Sequence, residues 1–283
     1  MIIVKNQREI LEAIETAKIE KPEAIIGFVP TMGALHEGHM SLIETAKSQS
    51  DIVVCSIFVN PTQFNNPDDL KTYPRTIDAD RKLLEEKGCD ILLLPDVKDV
   101  YPNGEQPYSI DLDGIDKSME GAFRPGHFKG VCMVVERFFE MVQPDIAFFG
   151  KKDFQQLAVI RKMTAVRNLP IEIIGVPIKR AENGLALSSR NALLTEKERE
   201  DASFISRALK SGLDFSKTNT NAASIAQHIE AQFKGTAMEV EYVAIIDNDT
   251  LEPVEEVSAN STVCTVVYYG KVRLLDNMQF ADA

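Results

Sequence analysis

Short apolar runs alternate with amphipathic segments along the first 180 residues of the chain. The apolar runs are typical of buried β-strands; they are EAIIGFVP, DIVVCSIFVN, CDILLLP, DIAFFG and IEIIGVPI. The segments between them repeat apolar residues at helical spacing, as in NQREILEAIETAK and HFKGVCMVVERFFEMV. Strands separated by helices in this order predict an α/β fold, a doubly wound parallel sheet covered by helices on both faces.

The pattern changes after about residue 180. Helical spacing continues in TEKEREDASFISRALKSG and NTNAASIAQHIEAQF, and strand-like runs follow in MEVEYVAIID, STVCTVVYYG and KVRLLD. Helices followed by consecutive strands predict a smaller α+β domain with an antiparallel sheet. We therefore expect two domains, residues 1–180 and residues 181–283.

Charge and hydropathy narrow the possible partners. The chain has 283 residues, of which 31 are basic and 43 acidic, and its net charge of −12 argues against a nucleic-acid partner. The net charge does not exclude a small anionic substrate, which could bind where basic residues cluster. The longest apolar stretch, IVVCSIFV, is too short to cross a membrane, and the start, MIIVKNQREI, lacks the apolar core of a signal peptide.

The four cysteines, Cys55, Cys89, Cys132 and Cys264, are far apart and form no CxxC pair. Such cysteines are typical of buried, reduced thiols. We therefore expect a cytoplasmic protein without a membrane partner.

The first candidate site is the loop PTMGALHEGH, which follows a predicted strand and holds two of the four histidines. In open parallel sheets, ligands bind beyond the carboxyl ends of the strands. A helix expected to begin near His39 would offer unpaired N–H groups to phosphate, and Gly33 and Gly38 would let the backbone approach a ligand. The alternative is that His36 and His39 only cap this helix. The HxGH spacing after a buried strand favours a ligand site.

The second loop, SIFVNPTQF, places Asn60 and Gln63 just past the next strand. Neutral amides there could bind hydroxyls and carboxylates without adding charge. The prolines of this region also suit simple turn chemistry, and the residues themselves leave both interpretations open.

The third loop, GKKDFQQL, follows the strand DIAFFG and contains Lys151 and Lys152. Asp153 is a plausible N-cap, and Gln156 follows it in the first helical turn. Two lysines beside a helix N-terminus favour a polyphosphate site over a solvated pair of surface lysines.

Three further groups of residues have simpler structural interpretations. Ser188, Ser189 and Arg190 in LALSSRNALL suit a triphosphate tail, or a helix cap with a surface arginine. His127, in GAFRPGHF, lies at a predicted helix start and could orient a loop or a subunit contact, as could Arg124. For both we favour a structural or interface role over a catalytic one. Asp78 and Asp80, in TIDADRKLLEEKG, could help hold Mg²⁺, although the first turn of any helix favours acidic residues.

Taken together, the motifs PTMGALHEGHMSL, SIFVNPTQF, YPRT, GAFRPGHFKGV, FFGKKDFQQL and LSSRN, in this order and spacing, resemble the pantothenate synthetase family. This family lies within the HxGH nucleotidylyltransferase superfamily. The resemblance implies a Rossmann-like domain with a smaller C-terminal lid domain, in a cytoplasmic homodimer that depends on Mg²⁺ and ATP. It also implies ligation of (R)-pantoate to β-alanine through pantoyl adenylate, with release of AMP and diphosphate.

The resemblance also implies roles for individual residues. His39, as proton donor, would act with His36, Lys152 and Arg190 in catalysis. Gln63 and Gln156 would bind pantoate, and Gln63 would lie near β-alanine as well. ATP would contact Met32, Gly33, Ala34, Leu35, His36, Glu37, Gly38, His39, Gly150, Lys151, Lys152, Asp153, Lys179, Leu187, Ser188, Ser189 and Arg190.

The sequence departs from the family pattern in two places. The family usually has Arg-Glu-x-Asp-Gly before the serines, whereas this chain has RAENG, so that Ala181 and Asn183 replace acidic residues. Lys179 stands where an apolar residue contacts the nucleotide, a contact we expect through its backbone. Lys151 stands where Glu or Gln is common and adds a positive charge beside the phosphates.

Three functions were weighed against these residues. The first is the carboxylate–amine ligase, the second a nucleotidylyltransferase that releases an adenylylated product, and the third a non-catalytic protein that senses ATP. The amide-bearing loop argues against the second. Both histidines, with Lys152 and Arg190, argue against the third. We expect the ligase, with pantoate, β-alanine and ATP as its small-molecule partners.

Overall fold

A computed structural model describes residues 1–104 and 106–282 of the chain. The described part of the chain divides into two compact units. One consists of Met1–Lys151 and Gln156–Pro177, and the other of Lys152–Gln155 and Ile178–Ala283.

The first unit is built on a parallel sheet, as the sequence predicts. Within the described residues this sheet has six strands in the order β1-β4-β3-β2-β5-β6. The strands are β1 Ile2–Val4, β2 Ile26–Thr31, β3 Ile52–Ile57, β4 Ile91–Leu93, β5 Ile146–Gly150 and β6 Glu172–Val176. The helices are α1 Gln7–Lys18, α2 Glu37–Gln49, α3 Pro67–Thr72, α4 Ile77–Glu86, α5 Val97–Val100, α6 Met119–Phe123, α7 His127–Val142 and α8 Phe154–Val166, with a 3-10 turn at Pro61–Gln63. The first two residues of α8 are grouped with the second unit.

The central strand β3 explains why both faces of the sheet are covered. Every one of its residues is buried. Val53 and Cys55 pack with one apolar cluster, together with Ile43 of α2, whereas Val54 packs with a second cluster that includes Phe138 of α7. Successive side chains of a strand point to opposite faces, so a continuous apolar run requires a core on each side.

The strand order places a topological switch at β2. The chain passes from β2 to β3 on one side, and β5 later pairs with the opposite edge of β2. Connections that leave a parallel sheet in opposite directions open a crevice at the carboxyl ends of the strands. The HxGH loop begins at this end of β2 and leads into α2.

The second unit has the predicted α+β composition. Its described residues form an antiparallel sheet in the order β7-β8-β9, with β7 Met238–Asp247, β8 Ser261–Tyr269 and β9 Val272–Gln279. Its helices are α9 Glu196–Ala202, α10 Phe204–Ser216 and α11 Ala222–Gln232, with 3-10 turns at Ser189–Leu193 and Phe280–Asp282. Leu209, Ile229 and Val263 lie in one apolar cluster that joins the helices to the sheet.

The first helical segment of this unit is two helices rather than the single one that its periodicity predicts. The break falls at Ser203, which is buried. Its hydroxyl donates to the carbonyl of Glu200 at 2.6 Å, and its N–H donates to the same carbonyl at 3.2 Å. A serine side chain bonded to a nearby carbonyl competes with the regular helical pattern, and the helix therefore ends there.

The four cysteines are buried thiols, as expected. Burial raises the pKa of Cys55 well above its usual range and raises the pKa values of Cys89 and Cys132 to about 12. These three groups therefore stay protonated in the folded protein at neutral pH. Among the described helices, none is both long and apolar enough to cross a membrane.

A buried ion pair joins the segment before α9 to strand β9. The two guanidinium nitrogens of Arg180 donate to the two carboxylate oxygens of Asp276 at 2.7 and 2.9 Å. The Asp276 side chain is only 4% exposed and that of Arg180 22% exposed. The same guanidinium also donates to the carbonyls of Gly184 and Asn277. Asp276 therefore depends on Arg180 for compensation of its buried charge.

We predict that Arg180→Met lowers the free energy of unfolding by about 3 kcal/mol, because it leaves the Asp276 carboxylate buried without its cation. Urea denaturation followed by circular dichroism measures this change. Lys217→Met is the matched control, since Lys217 pairs with Asp214 on the surface and should lose less than about 1 kcal/mol. Equal losses in the two variants would contradict the proposed importance of the buried pair.

Candidate active site

The two histidines of the HxGH loop cap the helix that follows β2. His36 is the N-cap of α2, and its Nδ1 accepts the N–H of Gly38 at 3.0 Å. Nδ1 of His39 accepts the N–H of His36 at 3.3 Å. The helix therefore begins at Glu37 rather than near His39, because the first imidazole satisfies an N–H of its first turn.

These bonds fix the tautomers of both rings. A backbone N–H can only donate, so each Nδ1 is an acceptor and each neutral ring carries its proton on Nε2. The ring centroids lie 4.2 Å apart. Capping and ligand binding are therefore compatible in this loop, since one nitrogen of each imidazole caps the helix and the other is a donor.

The loop itself has an unusual backbone that one carboxylate supports. Gly33 has φ +83° and Ala34 has φ +50°, a region that costs about 1–3 kcal/mol for a residue with a side chain. Asp80 of α4 accepts the N–H of Ala34 at 2.9 Å and the N–H of Leu35 at 2.8 Å. Its side chain also accepts the hydroxyl of Thr76 at 3.0 Å. Asp80 is 2% exposed and clamps the loop.

This arrangement leaves Asp80 poorly suited to the magnesium role that the sequence suggests. Both of its oxygens already accept hydrogen bonds. Among the described residues, no group of three or more His, Cys, Asp and Glu side chains is placed to hold a metal. The residues present therefore do not form a protein cage for Mg²⁺.

The second loop forms a polar turn centred on Asn60. Its Nδ2 donates to Oε1 of Gln63 and to the carbonyl of Gly130, both at 3.1 Å. Its Oδ1 accepts the hydroxyl of Tyr101 at 2.9 Å and the hydroxyl of Thr62 at 3.1 Å. Asn60 is buried, and its hydrogen-bond network fixes which end of the amide is nitrogen.

The side chain of Gln63 lies beside the first loop. It is 8% exposed, and its Nε2 donates to the thioether sulfur of Met32 at 3.2 Å. A thioether is a weak acceptor, so a hydroxyl or carboxylate oxygen would be a stronger partner for this amide. Met32 and Gln63, assigned to different loops by sequence, thus meet in the first unit.

Gly130 of α7 allows the turn at Pro61–Gln63 to approach the helix. A β-carbon at this position would lie 2.5 Å from the carbonyl oxygen of Thr62 and 2.8 Å from Cα of Gln63. Sequence reasoning missed both Gly130 and Tyr101. The available signal was a lone glycine inside a strongly apolar helix, which often marks a close approach of two backbones.

The third loop is divided between the two units. Gly150 ends β5, and Lys151 donates its N–H to the carbonyl of Val176 at 2.8 Å within the first unit. Lys152 belongs to the second unit, where its carbonyl accepts Nδ2 of Asn277 at 2.8 Å. Its Nζ lies 3.9 Å from the carboxylate of Asp153.

The fourth loop belongs to the second unit. Leu187 donates its N–H to the carbonyl of Lys179 at 3.0 Å, so the segment turns back on itself. Ser188 then caps the 3-10 turn at Ser189–Leu193, with its hydroxyl accepting the N–H of Arg190 at 3.3 Å. Lys179 is exposed, whereas Arg190 is half-buried.

The candidate residues therefore fall into two sets. The first unit contains Met32, Gly33, Ala34, Leu35, His36, Glu37, Gly38, His39, Gln63, Gly150, Lys151 and Gln156, and the second contains Lys152, Asp153, Lys179, Leu187, Ser188, Ser189 and Arg190.

Comparison with known proteins places this chain among ligases. The family model described as pantoate–β-alanine ligase matches residues 2–279. The pantothenate synthetase of Bacteroides fragilis is 45% identical over 260 residues, covering 91% of this chain and 92% of that protein. The chain belongs to the pantoate–β-alanine ligase family.

Solved structures of this ligase family match the fold over nearly the full length. The crystal structure of pantothenate synthetase from Thermus thermophilus matches with a TM-score of 0.91 at 38% identity, covering 99% of each chain. The pantoate–β-alanine ligase from Francisella tularensis, complexed with β-γ ATP and β-alanine, matches with a TM-score of 0.81 at 36% identity, covering 99% of this chain and 98% of that one.

Two departures from the ligase-family pattern have local partners. Ala181 packs against the apolar core of the second unit. Asn183 donates Nδ2 to the carboxylate of Glu200 at 2.8 Å, and its Oδ1 accepts the N–H of Leu185 at 3.2 Å. An aspartate at position 183 would set two carboxylates against each other. Asparagine therefore fits this chain because Glu200 lies opposite.

We predict that Asp80→Asn loosens the HxGH loop, because an amide NH₂ group cannot accept a backbone N–H. The expected loss is about 1–3 kcal/mol of stability, from the desolvation of one unpaired buried N–H. The apparent KM for ATP should rise about 10-fold, because the loop is no longer held in its strained conformation. Thermal denaturation and steady-state kinetics measure the two effects.

Glu85→Gln is the control for this experiment, since Glu85 is exposed on the same helix α4. It should leave both quantities unchanged. A stable Asp80→Asn protein with normal ATP kinetics would show that the clamp is dispensable.

Proposed function

We propose that this chain joins the carboxylate of (R)-pantoate to the amine of β-alanine at the expense of ATP, forming pantothenate, AMP and diphosphate. The observation that carries the proposal is the HxGH loop, whose two imidazoles cap α2 through Nδ1 and keep their protons on Nε2. Its support is membership of the pantoate–β-alanine ligase family. A relative from Francisella tularensis was solved with β-γ ATP and β-alanine.

The reaction proceeds in two steps. A carboxylate oxygen of pantoate attacks the α-phosphorus of ATP, the bond from that phosphorus to the β-phosphate oxygen breaks, and diphosphate leaves. The amine of β-alanine then attacks the acyl carbon of pantoyl adenylate. A C–N bond forms, the bond from carbon to the phosphate oxygen breaks, AMP leaves, and the nitrogen loses a proton.

The main barrier in the first step is electrostatic, since an anionic carboxylate must approach a polyanion. The N-terminus of α2 offers a positive dipole end, and Nε2–H of His36 and His39 can donate to phosphate oxygens. His39 is the proposed proton donor to the diphosphate leaving group. Lys152 and Arg190 are the proposed cations that stabilise the same charge.

The proposed ATP contacts extend over four segments. They are Met32, Gly33, Ala34, Leu35, His36, Glu37, Gly38 and His39; Gly150, Lys151, Lys152 and Asp153; Lys179; and Leu187, Ser188, Ser189 and Arg190.

Gln63 and Gln156 are the proposed pantoate ligands, and Gln63 is also proposed to contact β-alanine. Nε2 of Gln63 donates to the thioether sulfur of Met32, a weak acceptor that a hydroxyl of pantoate can replace. Oε1 of Gln63 is fixed by Asn60. The amide is thus oriented before the substrate arrives, which lowers the ordering cost of binding.

Mg²⁺ enters this proposal as part of the substrate, as the complex of ATP with magnesium. Its charge offsets that of the phosphates.

We also propose that the chain acts as a cytoplasmic homodimer, as the family resemblance implies. Exposed apolar side chains in the first unit, among them Ile2, Ile19 and Phe123, are compatible with a protein interface. The native mass in solution tests this, with twice the chain mass of 31.5 kDa expected for the dimer.

We predict that ATP and pantoate alone yield one equivalent of diphosphate per active site, because adenylation precedes attack by the amine. Rapid-quench kinetics without β-alanine, with ATP and pantoate in excess over active sites, measure it. AMP should appear only after β-alanine is added. A nucleotidylyltransferase would release free pantoyl adenylate repeatedly, and an ATP sensor would release no diphosphate. Either outcome would refute the ligase mechanism.

We predict that His39→Ala slows adenylation by about 10²–10³-fold while changing ATP affinity far less, because the donor acts mainly on charge that develops in the transition state. Single-turnover rates and equilibrium ATP binding separate the two quantities.

His39→Asn is the matched variant, since its Oδ1 lies near the position of Nδ1 and can accept the same backbone N–H, whereas no donor remains at the position of Nε2. It should recover about 1 kcal/mol of stability without recovering the adenylation rate. Recovery of the adenylation rate together with the stability would show that His39 acts only as a helix cap.

A further inference from the structure

His127 begins α7, and none of the roles proposed above involves it. It is 6% exposed. Nδ1 of its ring lies 2.8 Å from the carbonyl oxygen of Gln63, and Nε2 lies 3.1 Å from a guanidinium nitrogen of Arg124. A buried histidine with a partner at each nitrogen is held in one orientation.

The neighbours of His127 decide where its proton lies. A guanidinium can only donate, so Nε2 of His127 accepts from Arg124. The neutral ring therefore carries its proton on Nδ1, which donates to the carbonyl of Gln63. This is the opposite tautomer to that of His36 and His39. The ring thus accepts a hydrogen bond from Arg124 and donates one to the backbone carbonyl of Gln63.

Local structure keeps this chain of contacts in place. Gly126, at φ +83°, precedes α7 and turns the backbone between Arg124 and His127. The N–H of His127 donates to the carbonyl of Arg124 at 3.0 Å. A carboxylate oxygen of Glu120 lies 3.7 Å from the same guanidinium nitrogen. A chain of contacts therefore runs from Glu120 through Arg124 and His127 to the backbone carbonyl of Gln63.

The hydrogen bond from His127 to Gln63 affects the orientation of the Gln63 side chain as well as its backbone. The turn at Pro61–Gln63 lies so close to α7 that Gly130 has no room for a β-carbon. Asn60 holds Oε1 of Gln63, and Met32 accepts from its Nε2. The backbone carbonyl is a further point of contact, through which His127 of α7 can fix the direction of the Cα–Cβ bond of Gln63. Rotation of that peptide would redirect the whole amide.

We propose that His127 is a positioning residue for pantoate binding: it holds the Gln63 peptide so that the side-chain amide faces the substrate. This rests on the proposed role of Gln63 as a pantoate ligand. Misplacement of a binding group by about 1 Å can cost up to about 10²-fold in rate, so one buried hydrogen bond to the backbone can matter for the reaction.

The test compares three variants by steady-state kinetics with pantoate and ATP varied separately. His127→Ala removes the donor and should raise the KM for pantoate about 10-fold, with the KM for ATP within about 2-fold of normal. His127→Asn should recover most of the loss, because its Nδ2 lies near the position of Nδ1. His127→Gln should not, because its amide nitrogen lies near the position of Nε2.

Two controls make the result interpretable. His228→Ala removes a half-buried histidine that bonds Ser211 and stacks on Phe215 in the second unit, and it should leave the KM for pantoate unchanged. Gln63→Ala reports on the substrate assignment itself. If Gln63→Ala raises the KM for pantoate and His127→Ala does not, the positioning role is wrong and the assignment of Gln63 stands. If neither does, the assignment of Gln63 fails.

The comparison of Asn with Gln holds even if His127→Ala does not fold, since circular dichroism can confirm the fold of both amide variants. Equal kinetics in these two variants would overturn the proposal.

Discussion

One buried carboxylate holds the loop between β2 and α2 in a conformation that its own sequence does not favour. Ala34 occupies the left-handed region at a cost of about 1–3 kcal/mol, and Asp80 offsets that cost with hydrogen bonds to two successive N–H groups. The direction in which the chain enters α2 follows from this contact. Since His36 caps α2 and His39 lies in its first turn, the placement of both depends on an aspartate in another helix.

The candidate site of the first unit combines this charge with neutral donors. The chain is acidic, with a net charge of −12, and ATP and pantoate are both anions. Neutral imidazoles and amides can bind such substrates without burying further charge, and the Asp80 carboxylate already has three donors around it. The neutral rings of His36 and His39 carry the proton on Nε2, because backbone N–H groups donate to Nδ1. The ring of His127 carries it on Nδ1, because a guanidinium donates to Nε2.

Sequence periodicity predicted the helices and strands whose own pattern of apolar residues identifies them. The buried run of β3 and the amphipathic α7 are examples. It missed β1, whose three residues become a strand only through pairing with β4. The motifs also identified the loops of the candidate site, and a structural role was expected for His127. The partners of Asp80 and of His127 were not identified. Asp80 lies 46 positions from Ala34, and His127 lies 64 positions from Gln63, so only the folded sheet brings each pair together.

The polar turn at Asn60 has a consequence for the chemical lifetime of the protein. Asparagine usually ages when the backbone nitrogen of the next residue attacks its side-chain carbonyl and the amide becomes a carboxylate. That route needs a backbone N–H, and the next residue is Pro61, which has none. Conversion of Asn60 to a carboxylate would remove the donor that serves Gln63 and Gly130. The proline that starts the turn therefore also protects its central amide from deamidation.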